Sequence, residues 1–148
     1  MSTQQTQTRG RAPVQIVTSV VALVFALVGL AGFIPGLTTG LDSMSFAGHH
    51  SEALLLGVFE VSVLHNIVHL LFGVVGFLMA RSASAAVTYL VTGGAIYFVL
   101  WLYGTLIDLD SAANFVPVND ADNWLHLGLA VGMIAIGALF ARAAKAAR

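Results

Sequence analysis

The chain has 148 residues, enough for one domain and little more. Hydrophobic residues make up 58% of it and charged residues only 9%. This composition excludes an ordinary soluble domain and predicts a membrane protein that contacts the lipid bilayer. The net charge of -1 excludes a basic patch for nucleic acid, and the absence of cysteine excludes disulfides, thiolate metal sites and cysteine nucleophiles.

The chain begins with a polar segment, and residues 1–12 are predicted to form a disordered cytoplasmic tail. A single transmembrane domain is predicted over residues 13–144, because four segments meet the length of about 20 mainly apolar residues that a spanning helix needs. The predicted spans cover about residues 14–34, 54–79, 83–107 and 124–141. Strand-type alternation is absent from these segments, so the predicted fold class is all-α, an integral membrane four-helix bundle.

Charge predicts the orientation of the four spans. All six basic residues precede the first span, separate the second from the third, or follow the fourth. The acidic residues outside the spans fall on the opposite side, and they are Asp42, Glu52, Asp108, Asp110, Asp120 and Asp122. The positive-inside rule therefore predicts a multi-pass protein of the cell membrane with both termini cytoplasmic.

The second and fourth spans contain a cluster of polar residues. The cluster comprises Glu60, His65, Asn66, His69 and His126. His65 and His69 are four residues apart and share a helix face, whereas Glu60 lies about 140° round the helix from His65. A charge at the centre of a membrane costs about 2.5–3.5 kcal/mol, so the cluster is expected to face the interior of the bundle. The favoured interpretation is that these side chains form hydrogen bonds between helices and specify their packing.

Three functional alternatives for this cluster stay open. His65, His69 and His126 could ligate a metal ion, histidines from two helices could hold non-covalent haem, or the cluster could line a proton or ion path. The predicted spans argue against the first two, because His65 would lie about 16 Å below the membrane surface and His126 only about 5 Å. Glu60, at about 9 Å, would be the nearer neighbour of His126. No cofactor is therefore predicted, and a metal ion and haem are kept as alternatives.

The second outer loop and the start of the fourth span are rich in oxygen ligands. The residues expected to cap the helix or to keep the loop soluble are Asp108, Asp110, Asp120, Asp122 and Asn123. Weak cation binding by this loop stays open, but an EF-hand is excluded because Ala113 replaces the turn glycine.

Gly128 and Gly132 form a small-xxx-small pair in the fourth span. Packing inside the monomer is the favoured role of this pair, and dimerisation through it is the alternative. A homo-oligomer or a larger membrane complex therefore stays open.

Three stretches of the chain together carry a resemblance to a known family. They are "HNIVHLLFGVVG" in the second span, "YFVLWLYG" in the third and "NFVPVNDADNWLHLGLAVG" at the start of the fourth. The chain resembles, over about residues 14–142, bacterial membrane proteins described as domain of unknown function 4383. The residues that match the motif are His65, Asn66, His69, Gly73, Asn123 and His126. The resemblance implies a four-helix protein of the bacterial inner (plasma) membrane, common in actinobacteria, with no assigned activity.

The sequence contains neither a Gly-x-Ser-x-Gly motif nor a phosphate-cradling loop, so an enzyme is the least supported function. The favoured hypothesis is a small multi-pass membrane protein that serves as a structural or accessory component without catalysis of its own. The alternative is a protein that binds or conducts a metal ion, haem or protons through the polar cluster.

Overall fold

The computed structural model describes residues 10–146, and these residues form four helices and one small antiparallel sheet. The helices are α1 (Pro13–Ala31), α2 (Val63–Met79), α3 (Ala83–Leu106) and α4 (Asp120–Ala146). Strands β1 (Thr38–Thr39), β2 (Ala53–Leu55) and β3 (Phe59–Val61) and a short 3-10 helix (Leu41–Ser43) lie between α1 and α2. The fold is mostly helical, and the sheet corrects the prediction of an all-α fold. Residues 1–9 of the predicted tail lie outside the described part of the chain.

The second helix begins at Val63, whereas the predicted second span began at residue 54. The apolar residues before it form a β-hairpin in which Ala53 pairs with Val61 and Leu55 pairs with Phe59. The hairpin turns through a left-handed Gly57, with a φ of 71°. A short apolar run cannot be assigned to strand or helix from hydrophobicity alone, which is why the start of the span was predicted too early.

One hydrogen bond marks the boundary between the hairpin and α2, and others attach the sheet to the rest of the molecule. The Ser62 hydroxyl accepts a hydrogen bond from the backbone N–H of His65 at 3.1 Å and so caps α2. The Thr38 hydroxyl donates to the carbonyl of Ala31 at 3.0 Å, which holds β1 against the end of α1. From the second long loop, the Asn119 side chain donates to the carbonyl of Val58 at 2.8 Å. The sheet and both loops therefore form a cap over one end of the helices.

Glycines allow the helices to approach closely in pairs. A Cβ built on Gly29 of α1 would lie 2.7 Å from the carbonyl oxygen of Asn66 and 2.9 Å from the backbone nitrogen of Leu70. A Cβ on Gly94 of α3 would lie 2.9 Å from the carbonyl oxygen of Ala130 in α4. Backbone atoms cannot move aside as side chains do, so these positions require glycine and pair α1 with α2 and α3 with α4.

The Gly128 and Gly132 pair does not take part in this packing. A Cβ built on either residue would have no described atom within 4 Å. The expectation that this pair packs inside the monomer is therefore wrong. Both glycines instead line a shallow groove of about 210 Å³ between α4 and α1.

The helices bury many small and polar residues and expose many large apolar ones. Helix α1 buries Thr18, Ala22 and Gly29, for example, while Val20 and Leu27 are exposed. Three helices, α1, α3 and α4, are long and apolar enough to cross a membrane, and α2 is an apolar helix of 17 residues. This distribution suits a lipid environment, because lipid tails rather than water can solvate the exposed aliphatic surface.

Charged groups lie at opposite ends of the helices. The Gln15 side chain donates to the carbonyl of Ala80 at 2.9 Å and so joins the start of α1 to the end of α2. Arg11 and Arg81 line one groove at this end. Glu60 and Asp122 lie together at the opposite end, under the cap.

Candidate histidine site

His65, His69 and His126 line one cavity of about 230 Å³, which we name the histidine cavity. Two tyrosines, Tyr97 and Tyr103, and six apolar side chains complete its lining. The three histidines are only 6%, 6% and 4% exposed.

The predicted difference in depth between His65 and His126 is wrong. Since α2 begins at Val63 and α4 begins at Asp120, both histidines lie within the first two turns of their helices. Both helices begin at the capped end, and the ring centroids of His65 and His126 are 6.4 Å apart. The late start of α2 is therefore what brings the three rings together.

The hydrogen bonds of His65 define its tautomer. Its Nδ1 lies 3.2 Å from the carbonyl oxygen of Pro117, which can only accept, so Nδ1 carries a proton and donates. Its Nε2 lies 3.1 Å from Nε2 of His69. In neutral His65, Nε2 consequently holds a lone pair that faces the other ring.

Two ring nitrogens in the cluster have no hydrogen-bond partner among the described residues. They are Nδ1 of His69 and Nδ1 of His126, and both are buried. The bonds of the His65 ring run within α2 and to the loop at Pro117. A buried polar atom without a partner costs about 1–3 kcal/mol, so these two nitrogens favour a partner that the described residues do not supply.

Aromatic rings surround the imidazoles. The Phe25 ring lies 5.6 Å from the His69 ring and stacks on Tyr97 at 5.4 Å. The Tyr97 ring lies 5.2 Å from the His126 ring in an edge-on arrangement. These contacts join α1, α2, α3 and α4 around the site.

The histidine rings are not arranged as a complete set of metal ligands. Among residues 10–146, no group of three or more His, Cys, Asp or Glu side chains is close enough to hold a metal ion. His65 and His69 approach each other closely, and His126 is the ring that lies farther away.

Glu60 and Asn66 lie outside the histidine cavity. Glu60 is in β3 and not in a spanning helix, so the prediction of an intramembrane carboxylate beside His126 is wrong. Burial first, and then the negative charge of Asp110, raise the pKa of the Glu60 carboxyl above its ordinary value. Asn66 is buried against α1, where a Cβ on Gly32 would lie 2.1 Å from its Oδ1.

The start of α4 is capped by two reciprocal hydrogen bonds between Asn119 and Asp122. The sequence predicted Asp122 as a capping residue but not Asn119. The Asn119 side chain accepts from the N–H of Asp122 at 3.0 Å, and the Asp122 carboxylate accepts from the N–H of Asn119 at 3.0 Å. The same carboxylate accepts from the N–H of Glu60 at 2.9 Å, which ties α4 to β3. The spacing Asn-x-x-Asp is the signal that was missed, since it matches a capping box with aspartate in place of glutamate.

The other predicted loop and cap residues have different roles. Asn123 donates to the carbonyl of Gly104 at 3.1 Å and thus joins α4 to α3. Asp108 accepts from the N–H of Asp110 at 3.0 Å and closes a local turn. Asp120 is exposed at the start of α4.

A second groove adjoins the histidine cavity. It lies between α2 and α3, encloses about 300 Å³ and is lined almost wholly by apolar side chains. Val68, Phe72 and Ile96 line both spaces. The histidine cavity therefore borders the apolar outer surface of the helices as well as the cap.

Comparison with known proteins yields one match. The model of a family described as "Domain of unknown function (DUF4383)" matches residues 15–139. No curated protein and no solved structure matches the chain.

Proposed function

The chain belongs to the family described as "Domain of unknown function (DUF4383)", and we propose that it is a four-span membrane protein that works as a non-catalytic binding component. All four helices cross the inner (plasma) membrane of a bacterium, and both termini are cytoplasmic. The cap and the histidine cavity lie at the outer side. The acidic cap and the basic residues at the opposite end support this orientation through the positive-inside rule.

Helix α2 is the shortest of the four proposed spans. Its 17 residues rise about 25 Å, at the lower limit for crossing the hydrocarbon core. Contacts along its length support its inclusion: a Cβ on Gly73 would lie 2.9 Å from Cβ of Ala26, and one on Gly76 would lie 2.7 Å from Cβ of Ala22. A helix packed so closely on α1 follows α1 across the membrane.

The observation that carries the binding function is the histidine cavity itself. Three histidines from two helices meet around one space although polar groups are costly in an apolar interior. Two of their nitrogens are buried without a partner in the described residues, so folding alone does not account for them. A bound group that contacts the imidazoles would offset this cost.

Native mass spectrometry of protein extracted from its own membrane in mild detergent tests this function. Val68→Phe fills the histidine cavity, and Val131→Phe is the matched control because Val131 is 61% exposed on α4. We expect a bound species on the wild type and on Val131→Phe and a much smaller amount on Val68→Phe. The binding function fails if the wild type carries no bound species and neither metal ions nor a lipid extract raise its melting temperature.

A structural role in an oligomer is a second candidate function. The outward-facing Gly128 and Gly132 favour it, since small residues let another helix approach closely. A second copy of the chain is the proposed occupant of the groove between α4 and α1. A single cysteine at Gly128 should then form a disulfide dimer in membranes, whereas one at Ile134, which faces Gly94 of α3, should not. Equal dimer yields at both positions would contradict this role.

A further inference from the structure

We infer that the histidine cavity holds the head of an uncharged, lipid-soluble alcohol or phenol, whose hydroxyl donates a hydrogen bond to Nδ1 of His69 while its apolar chain lies in the adjoining groove between α2 and α3. The inference rests on the proposed binding function of the cavity and names the class of ligand. Four observations carry it: the tautomers of two rings, a buried acceptor atom without a partner, the uncharged lining of the cavity, and the continuity of the cavity with the groove.

The hydrogen bond between the two histidine rings of α2 defines the tautomer of His69. Nδ1 of His65 donates to the carbonyl of Pro117, so Nε2 of the neutral His65 ring can only accept. The Nε2 atoms of His65 and His69 lie 3.1 Å apart, so Nε2 of His69 carries a proton and donates across this contact. Nδ1 of neutral His69 consequently holds a lone pair and no hydrogen, which makes it an acceptor.

This acceptor needs a donor that residues 10–146 do not supply. Nδ1 of His69 is buried and has no hydrogen-bond partner among the described residues, and His69 lines the histidine cavity. An acceptor cannot be satisfied by another acceptor, so the oxygen of an ether, an ester or a ketone would not serve. The matching group is an O–H or N–H that enters the cavity.

A hydroxyl suits the cavity better than an N–H group because a hydroxyl also accepts. Nδ1 of His126 is the second buried histidine nitrogen without a described partner, and His126 lines the same cavity from α4. The neutral His126 ring can carry its proton on Nδ1, and a hydroxyl can accept that hydrogen bond while it donates to His69. One hydroxyl group therefore offers a partner to each of the two helices.

The lining of the histidine cavity selects an uncharged head group. Besides the three histidines, the described residues that line it are two tyrosines and six apolar residues, none of which carries a charge. A carboxylate, phosphate or ammonium group brought here would lose its water without gaining an opposite charge. A neutral hydroxyl loses far less hydration energy. Alcohols and phenols are therefore favoured over fatty acids and phospholipids.

The groove between α2 and α3 provides a place for the apolar chain. It encloses about 300 Å³ and shares Val68, Phe72 and Ile96 with the histidine cavity. The cavity alone, at about 230 Å³, is smaller than the range of about 300–1,000 Å³ that is usual for ligand sites, so a ligand of usual size extends beyond it. Leu71 and Val75 line the groove and are 56% and 46% exposed, so the groove opens at the outer surface of the helices, where a chain can enter from the membrane.

Competition between a hydroxyl probe and its methyl ether tests the inference. The full-length protein in detergent is equilibrated with equal amounts of dodecanol and dodecyl methyl ether, and native mass spectrometry gives the ratio of the two bound species. We expect the wild type to bind the alcohol in excess by at least about 10-fold, since the ether leaves Nδ1 of His69 without a donor. The same competition between para-octylphenol and para-octylanisole distinguishes a phenol head from an aliphatic one.

Two substitutions of His69 separate the role of Nδ1 from that of Nε2. In His69→Gln the amide replaces Nε2 and can still donate to His65, but the acceptor at Nδ1 is lost, so the preference for the alcohol should disappear. In His69→Asn the amide oxygen replaces Nδ1, so part of the preference should remain. His50→Gln is the matched control and should keep the full preference, because His50 is exposed between α1 and α2. Partition of the probes into the detergent is the same for all variants and cancels when their ratios are compared.

Each outcome of this experiment supports or overturns the inference. A preference for either hydroxyl probe that His69→Gln abolishes and His50→Gln keeps supports it. Equal binding of hydroxyl and ether by the wild type, binding of neither, or equal preferences in His69→Gln and His69→Asn overturns it. Should His69→Gln fail to fold, Val68→Phe, which fills the cavity, replaces it in the comparison. If hydroxyl and ether bind equally but wild type from its own membrane still carries a species that Val68→Phe removes, the ligand class fails while the binding function stands.

Discussion

Asp122 connects three segments of the chain through one carboxylate. It accepts hydrogen bonds from the backbone N–H groups of Glu60 and Asn119 and lies in the first turn of α4. Because the same oxygen atom accepts both bonds, the cap of the helix and the attachment of the β-hairpin depend on one residue. The histidine cavity lies one turn further along α4, at His126.

The first prediction concerns this carboxylate. Asp122→Ala leaves two half-buried N–H groups, those of Glu60 and Asn119, without this partner and should lower the free energy of unfolding by about 1–3 kcal/mol. Asp122→Asn keeps an acceptor oxygen and should lower the free energy of unfolding by less than Asp122→Ala does. Asp120→Ala is the control, because Asp120 is exposed. Thermal melting in detergent measures the differences, and equal losses in Asp122→Ala and Asp120→Ala would contradict the role.

The second prediction concerns the pH dependence of Glu60. Burial and Asp110 raise its pKa in the folded protein above the ordinary value of 4.5. The stability contributed by this group is therefore complete below pH 4.5 and is lost as the pH rises through the raised value. Glu60→Gln removes this loss, so its melting temperature relative to the wild type should be higher at pH 7 than at pH 4.

The comparison of Glu60→Gln with the wild type requires a control substitution at another carboxylate between α1 and α2. Glu52→Gln serves, because Glu52 lies exposed in the segment between α1 and α2. The wild type and Glu60→Gln should melt alike at the lower pH, where Glu60 is protonated. A Glu60→Gln variant that is less stable than the wild type at pH 7 would show that the charged form is favoured and would refute the argument.

At the scale of the elements, glycine decides which helices pair. Gly29 lies where the backbone of α2 contacts α1, and Gly94 lies where the backbone of α4 contacts α3. Hydrophobicity does not distinguish these contacts, since lipid tails solvate an aliphatic helix as well as another helix does. Close approach also positions Phe25 of α1 against His69 of α2, so the pairing helps to shape the histidine cavity.

The third prediction compares two glycines inside helices. Gly29→Ala places a methyl group against the backbone of Asn66 and Leu70 and should destabilise the protein by about 1–3 kcal/mol through overpacking. Gly128→Ala meets no described atom and should be neutral or stabilising by up to about 1 kcal/mol, because alanine is the better helix former. Melting curves of both variants in the same detergent provide the test. A similar loss in both would contradict the role of close contact, since a methyl group at Gly128 meets no described atom.

At the scale of the whole molecule, the two ends differ in charge and structure. The acidic end carries the sheet, both long loops and the histidine cavity, and the basic end carries Arg11, Arg81 and Lys145. In the proposed orientation, the cavity is within reach of the outer surface.

The fourth prediction tests this orientation by cysteine labelling. The chain has no cysteine, so each variant carries one labelling site. Cysteine at Ala112, exposed in the loop between α3 and α4, should react with an impermeant maleimide on intact cells. Cysteine at Ser84 should react only after the membrane is opened. Labelling in the reverse pattern would place both termini outside and overturn the orientation.

The sequence by itself determined the mostly helical, apolar character of the chain, because this follows from composition and from runs of about 20 apolar residues. The family was predicted from a resemblance in three stretches of sequence, and the match of the family model over residues 15–139 confirms it. The sequence also placed His65 and His69 on one helix face, because helical periodicity is a local property. The Asn119 cap was readable in principle, since its signal lies within four residues of sequence.

Only the tertiary structure decided that residues 53–61 form a hairpin and that His126 joins the other two histidines. Moving the start of α2 from residue 54 to Val63 shifts His65 along the helix axis by about 13 Å, which accounts for the depth difference that had separated it from His126. The physical reason is that an apolar run is compatible with a strand or a helix until its neighbours are known. The outward direction of Gly128 likewise depends on where α1 and α3 lie, which is a property of the packed molecule and not of the local sequence.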